Sequence, residues 1–320
     1  MNKPQHISIG LPQHYVLDLS KNIRQSFITD ISKFEEFDPE LDLAFSDKLA
    51  LKINEVEAIK PDYVMRALLM TASKNVYNLS TNAIAIVRTI KYYVEKAFKD
   101  DHLYLFEFGY PELNKVINSQ LKILLFLKNY VITLNNYKTE LFQKGLSQTC
   151  FDEILLLASQ LDTALIAQEQ AKKARYICTG KRIRAYDQLW EMVGEIAKAG
   201  KIIFDKEPDQ LRYYILDRTP KKATVKVNET EINAAVFQGM VIDAITKEAI
   251  EDAIVEIAAT GYNDTTDKSG KFYIDEIVPG RYTFIIKTIG YKEIEQKDME
   301  LTSDNIKQEF IFALEKLSID

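Results

Sequence analysis

The chain has 320 residues, 47% hydrophobic and 28% charged, with a net charge of −6. That length exceeds what one core usually fills, and that composition excludes the intrinsically disordered class. From Ala235 onward, 17 acidic residues stand against 9 basic ones, a net of −8, which leaves about +2 for the rest. A small acidic C-terminal region is a poor ligand for polyanions, so nucleic acid is not an expected partner through it.

The two cysteines, Cys150 and Cys178, lie among apolar or helical neighbours and read as reduced, packed thiols rather than a disulfide framework. The longest apolar runs, 84–87 and 123–127, fall far short of a roughly 18-residue membrane span. Met1-Asn-Lys-Pro-Gln-His leads into no apolar segment, so a cytoplasmic protein without secretory signal or transmembrane segment is expected.

From residue 19 to about 204 the apolar pattern is helical. Helices are expected at 20–37, 41–60, 62–99, 112–144, 148–178 and 182–204. Pro39, Pro61 and Pro111 each precede an acidic residue, which suits a first helical turn, where proline loses no needed N–H and the carboxylate meets the positive dipole end. Helix 62–99 contains Asn78-Leu-Ser-Thr-Asn82, whose polar side chains compete for backbone hydrogen bonds and could break it. The aromatic stretch 103–110 reads as a strand-like or irregular cap rather than a helix. Gly145 and Gly180 fall where left-handed C-caps would end helices. Ile183, Tyr186, Trp190, Val193, Ala197, Gly200 and Phe204 recur at spacings of three and four, a seam facing a partner helix. Gly194 and Gly200 read as close-packing positions. Helices of this length joined by short turns predict an elongated antiparallel bundle over 1–216. The run Ile123 to Leu127 is apolar all round, which makes 112–144 either the fully surrounded central helix, the favoured reading, or a helix with one side given to an oligomer interface.

Beyond residue 204 the rhythm changes. Residues 211–216 are a short apolar piece and 217–233 read as a polar linker, with Thr224 to Val227 able to add a strand. Five of the 11 glycines, 239, 261, 270, 280 and 290, come after it, at the spacing of turns between short strands. Asp267-Lys-Ser-Gly270 has the composition of a hairpin turn, and Pro279-Gly280 turns the chain into the alternating strand 281–287.

Phe237-Gln-Gly239-Met-Val241-Ile-Asp243, Ala253 to Ile257, Thr265 to Phe272, Pro279 to Tyr282 and Gly290-Tyr291 together resemble the carboxypeptidase regulatory-like, transthyretin-like β-sandwich over 234–320. The resemblance implies a small Greek-key sandwich without catalytic residues. In metallocarboxypeptidases such a domain comes after the catalytic one and assists its folding or placement, and in bacterial surface proteins it is an accessory module. Here the preceding region is helical rather than a zinc-peptidase fold. The usual proline after the first strand is replaced by Glu248-Ala-Ile-Glu-Asp252. The expected fold class is therefore multidomain α plus β, a helical bundle followed by this sandwich.

His6, His14 and His102 lack the spacing of a zinc site, and no phosphate-cradling glycine loop occurs. Asp264 and Asp267 read as turn formers, since a calcium loop needs further acids at fixed positions. The catalytic, cofactor and metal sets are therefore left empty. Lys172, Lys173, Arg175, Lys181, Arg182 and Arg184 gather around Gly180, either as cations opposing a helix C-terminal dipole or as an anion- or partner-binding corner. The expected function is a non-enzymatic binding or assembly role with a protein partner or self-association. The alternatives are a small-molecule receptor or enzyme with a non-metal pocket between helices, and an anionic-surface or nucleic-acid binder acting through the basic corner.

Overall fold

The computed structural model describes residues 13–99, 101, 103–117, 119–216, 235–302 and 309–317. The expected linker and its extra strand at Thr224 to Val227, together with His6 and His102, lie outside them. The N-terminal part is helical and the C-terminal part a β-sandwich, a multidomain α plus β chain. Compactness divides it into two units: 1–65 with 174–229, and 66–173 with 230–320.

The first unit is built on α1 (Gln13–Thr29), α2 (Ile31–Phe37), α3 (Leu43–Ala58) and the later part of α9 (Gln148–Ile203). Pro39 does not begin α3. Asp42 does, its carboxylate accepting from Phe45 N at 2.8 Å and satisfying an otherwise orphaned amide. The core gathers Val16, Ile23, Phe27, Phe34, Leu49 and Ile53 around Tyr186, Leu189, Val193, Ile196 and Phe204. The three-four seam of the sequence is thus buried or half-buried along its length. Tyr214 closes the core, stacked on Phe204 at 5.2 Å and donating to Asp30 at 2.7 Å. A Cβ on Gly200 would sit 2.4 Å from the Tyr214 ring, so only glycine admits it, whereas Gly194 has open space and serves no close packing.

In the second unit, which takes up α4 (Asp62–Ala97) from residue 66, that helix runs unbroken through Asn78 to Asn82. Thr81 turns its hydroxyl onto the carbonyl one turn back, at 2.9 Å, and leaves the backbone ladder intact. The stretch expected as a strand-like cap is instead α5 (Leu103–Glu107), started by the Asp101 carboxylate accepting from Leu103 N at 2.9 Å. Gly109, at φ +74, then turns the chain into a 3-10 turn at Tyr110–Glu112. The helix expected over 112–144 is three: α6 (Leu113–Val116), α7 (Gln120–Asn136) and α8 (Lys138–Gln143). Ser119 restarts it by accepting from Lys122 N. Gly145 does end α8, at φ +103, with Leu146 N bonded to Leu141 O at 3.1 Å and Gly145 N to Phe142 O at 3.0 Å, the paired bonds of a Schellman motif.

Gly180 does not end a helix. α9 is continuous over 56 residues, because one glycine costs a helix only about 1 kcal/mol and no proline comes after it to enforce a stop. A short α10 (Pro208–Leu211) precedes Tyr214. Both cysteines are free and half-buried.

Among the described residues the sandwich has seven strands: β1 (Ala235–Asp243), β2 (Ile254–Ile257), β3 (Asn263–Thr265), β4 (Lys271–Ile277), β5 (Gly280–Lys287), β6 (Ile294–Leu301) and β7 (Glu309–Leu314). One sheet runs β4-β1-β7, with β1 and β7 parallel, and the other β3-β2-β5-β6. Phe237, Phe272, Phe284 and Phe312 meet between them with Val241, Val255, Ile274 and Ile286. The Asp267 to Gly270 turn has the expected geometry, Gly270 at φ +72 and its N–H on Asp267 O at 2.8 Å. The strands it joins lie in different sheets, however, so it carries the chain across the core rather than closing a hairpin ladder. At Gly239 a Cβ would fall 2.0 Å from Phe310 O, which is why β7 can lie so close to β1.

Candidate functional surface

The six basic residues do not form a corner at a helix end. They lie along the middle of α9, where no C-terminal dipole exists for them to oppose. In the second unit, Lys172 is ion-paired to Glu169 at 3.0 Å and Asp252 at 2.7 Å, while Lys173 is exposed. In the first unit, Arg175 and Arg182 both reach Asp62, at 3.5 and 3.7 Å, and Lys181 and Arg184 are exposed. Arg182 is only 8% exposed, and its Nε and Nη1 have no hydrogen-bond partner. Half of the set therefore spends its charge on internal carboxylates.

Asp264 and Asp267 serve the backbone: Asp264 accepts from Tyr273 N at 2.9 Å, and Asp267 from the N–H groups of Ser269 and Lys271 at 2.8 and 3.0 Å. Asp243, buried at the end of β1, accepts from the N–H groups of Ile245 and Thr246, from the Tyr291 hydroxyl at 3.0 Å and from Lys316 at 3.1 Å. The Thr246 N–H, ahead of the others, holds this carboxyl far below the usual range against the opposing effect of burial.

Open surface grooves occur among the described residues of both units. One, about 560 Å³, is lined by Trp190, Glu191, Glu195, Lys198 and Lys201 in the first unit, and another, about 570 Å³, by Tyr92, Phe98, Lys99 and Tyr104 in the second. Beside the latter, Tyr137 donates to Glu107 at 2.7 Å, and that hydrogen bond is the main reason its hydroxyl is pushed up to about 12.

A longer surface lies on α7. Ile123, Leu124, Leu127, Tyr130 and Leu134 are buried, but Leu121, Leu125 and Ile132 are 61%, 54% and 61% exposed. The fully surrounded reading of this helix is therefore incorrect; its apolar run covers both a core face and a solvent face. Leu121, Leu125, Lys128 and Ile132 succeed one another at spacings of four, three and four, a single stripe. Lys128 bonds Asp162 of α9 at 2.8 Å, which sets that helix alongside, and Ile166, one turn further on, is 56% exposed.

Residues 236–315 match the sequence family described as carboxypeptidase regulatory-like domain. The chain thus ends in a carboxypeptidase regulatory-like domain. The helical part matches no family, and a comparison with curated proteins finds no match. Among the described residues, no helix is long and apolar enough to cross a membrane.

The regulatory-like domain docks on the helices of its own unit. Lys74 of α4 pairs with Glu256 of β2 at 2.9 Å, and Lys172 of α9 with Asp252 before that strand. Between these pairs Ser73, Gln168 and Thr265 form a buried polar node, with Gln168 Nε2 on Ser73 Oγ at 3.1 Å and Thr265 Oγ1 on the same oxygen at 3.5 Å. Lys287 stands 5.8 Å from the centre of the Tyr77 ring, and Ile289, alone among the domain's described residues, joins the helical core. Nothing in the sequence announces these contacts, which bring together positions 80 to 210 residues apart. The α7 stripe had a signal: its apolar residues exceed what one core face can hold.

Proposed function

We propose that this protein is a non-catalytic binding or assembly protein. It engages a protein partner, a second copy in the first instance, through the α7 stripe, with the regulatory-like domain as an accessory contact module. The supporting observation is the row Leu121, Leu125 and Ile132, continued by Ile166, which leaves four large aliphatic side chains more than half exposed on adjoining helices. Single exposed aliphatics are ordinary, but an aligned set broken by one charge pair is the composition of a helix-packing interface.

The test is light scattering on the eluted full chain across a concentration series, for wild type and for Leu125→Glu/Ile132→Glu. Association that the double substitution reduces at least tenfold, with unchanged circular dichroism, is the expected result. A wild type that remains a monomer at every concentration, or one whose association ignores the substitution, defeats the reading of this stripe.

A further inference from the structure

We propose that the carboxypeptidase regulatory-like domain is an electrostatic latch, docked on α4 and α9 at low ionic strength and released as salt rises. This inference stands apart from the binding role assigned to the α7 stripe and rests on the make-up of the docking face. The domain's own core is complete without the helices, since Phe237, Phe272, Phe284 and Phe312 cluster with residues of the domain's own strands and loops. Much of what joins it to the helices is polar. The Lys74–Glu256 and Lys172–Asp252 pairs are partly open to solvent, with side-chain exposures of 39% and 24%, and of 25% and 17%. Of the two, Lys74–Glu256 is the pair that salt screens, because water and ions still reach it, whereas the Asp252 oxygen that pairs with Lys172 is sealed from solvent.

The buried centre of the interface works against docking. Gln168 is fully buried, yet its Oε1 has no hydrogen-bond partner, and Ser73 is sealed beside it. A buried carbonyl oxygen without a donor penalises the docked state and regains water on release. Ile289 supplies the apolar anchor. An interface that sets Ile289 and Ile254, the latter in register between Thr265 and Lys287, beside a screenable ion pair and an unmet acceptor lies among those across which domains move, unlike a large hydrophobic one. Release presents two new faces to a partner: Ser73, Lys74 and Tyr77 with Gln168 and Lys172 on the helices, and Glu256 with Thr265 on the sheet.

The test is a distance measurement between spin labels at Ser159→Cys and Lys268→Cys, in the full chain carrying Cys150→Ala and Cys178→Ala. At low salt one narrow distance is expected, and 1 M NaCl should raise a longer, broader population. Lys74→Glu sets two carboxylates face to face and should increase that population about tenfold at low salt. Adding Glu256→Lys should restore the narrow distance, which a general loss of stability would not do. Circular dichroism melts report whether the strands remain folded in each variant. Distances indifferent to salt in the wild type, or a reversal that the second substitution fails to rescue, would overturn the latch.

Discussion

Asp243 shows what one side chain can do at the end of a strand. Four donors converge on a carboxylate that is 2% exposed, two from the backbone of the next turn and two, Tyr291 and Lys316, from segments far along the chain. Its pKa is lowered by folding, so the stability it contributes is complete above the unfolded value of about 3.9 and is lost as pH falls through the folded one. Thermal melts of the β signal should therefore weaken below about pH 4 in the wild type. Asp243→Asn should flatten that dependence, and Asp243→Ala, which strands the donors, should cost about 3 kcal/mol at neutral pH. A wild-type melt equally stable at pH 2 and 7 would contradict the role given to this carboxylate. The motif around Asp243 was visible in the sequence as part of a resemblance, but the convergence of Tyr291 and Lys316 on it was not, because pairing across 48 and 73 residues leaves no local pattern.

At the scale of elements, the sequence disclosed which segments are helical more securely than where they stop. Gly145 and Gly180 look alike as isolated glycines after apolar helical stretches. One takes φ +103 and closes a Schellman motif, while the other lies within α9. The residues C-terminal to each glycine make the difference. After Gly145 comes Leu146, which turns back to bond Leu141 and bury itself, whereas after Gly180 come Lys181 and Arg182, good helix formers, and a seam already in phase. Gly180→Ala should thus stabilise the protein by about 0.5 to 1 kcal/mol, since an added Cβ meets nothing nearer than Arg184 Nη1 at 3.6 Å. A loss of stability in a denaturant titration would mean that the glycine is needed for its conformation. Gly239→Ala has the opposite expectation. Its Cβ would collide with the β7 backbone, so a penalty of about 3 kcal/mol is expected, and a neutral result would contradict the parallel pairing of β1 with β7.

The whole molecule couples a long-helix scaffold to a small sheet domain. The charge asymmetry seen in the sequence acquires a structural use, because the acidic domain presents Glu256 and Asp252 to lysines of the helices it docks on. The origin of the domain's core residues decides whether it depends on that docking. Among the described residues, every strand but β3 feeds one cluster of the domain's own aromatic and aliphatic side chains, while Ile289 joins the helical core. A domain of this size buries enough to fold but with little to spare. The segment 235–317 expressed alone should therefore show β circular dichroism and a cooperative melt. Its midpoint should lie only a few degrees below that of the same strands in the full chain, since partly exposed ion pairs contribute about 0.3 to 1 kcal/mol each. Midpoints that coincide would mean that docking adds nothing to the fold. An excised segment without cooperative structure would mean that the helices complete a core the strands do not close by themselves, and the boundary read from the glycine rhythm would then mark a change of secondary structure rather than an independent domain.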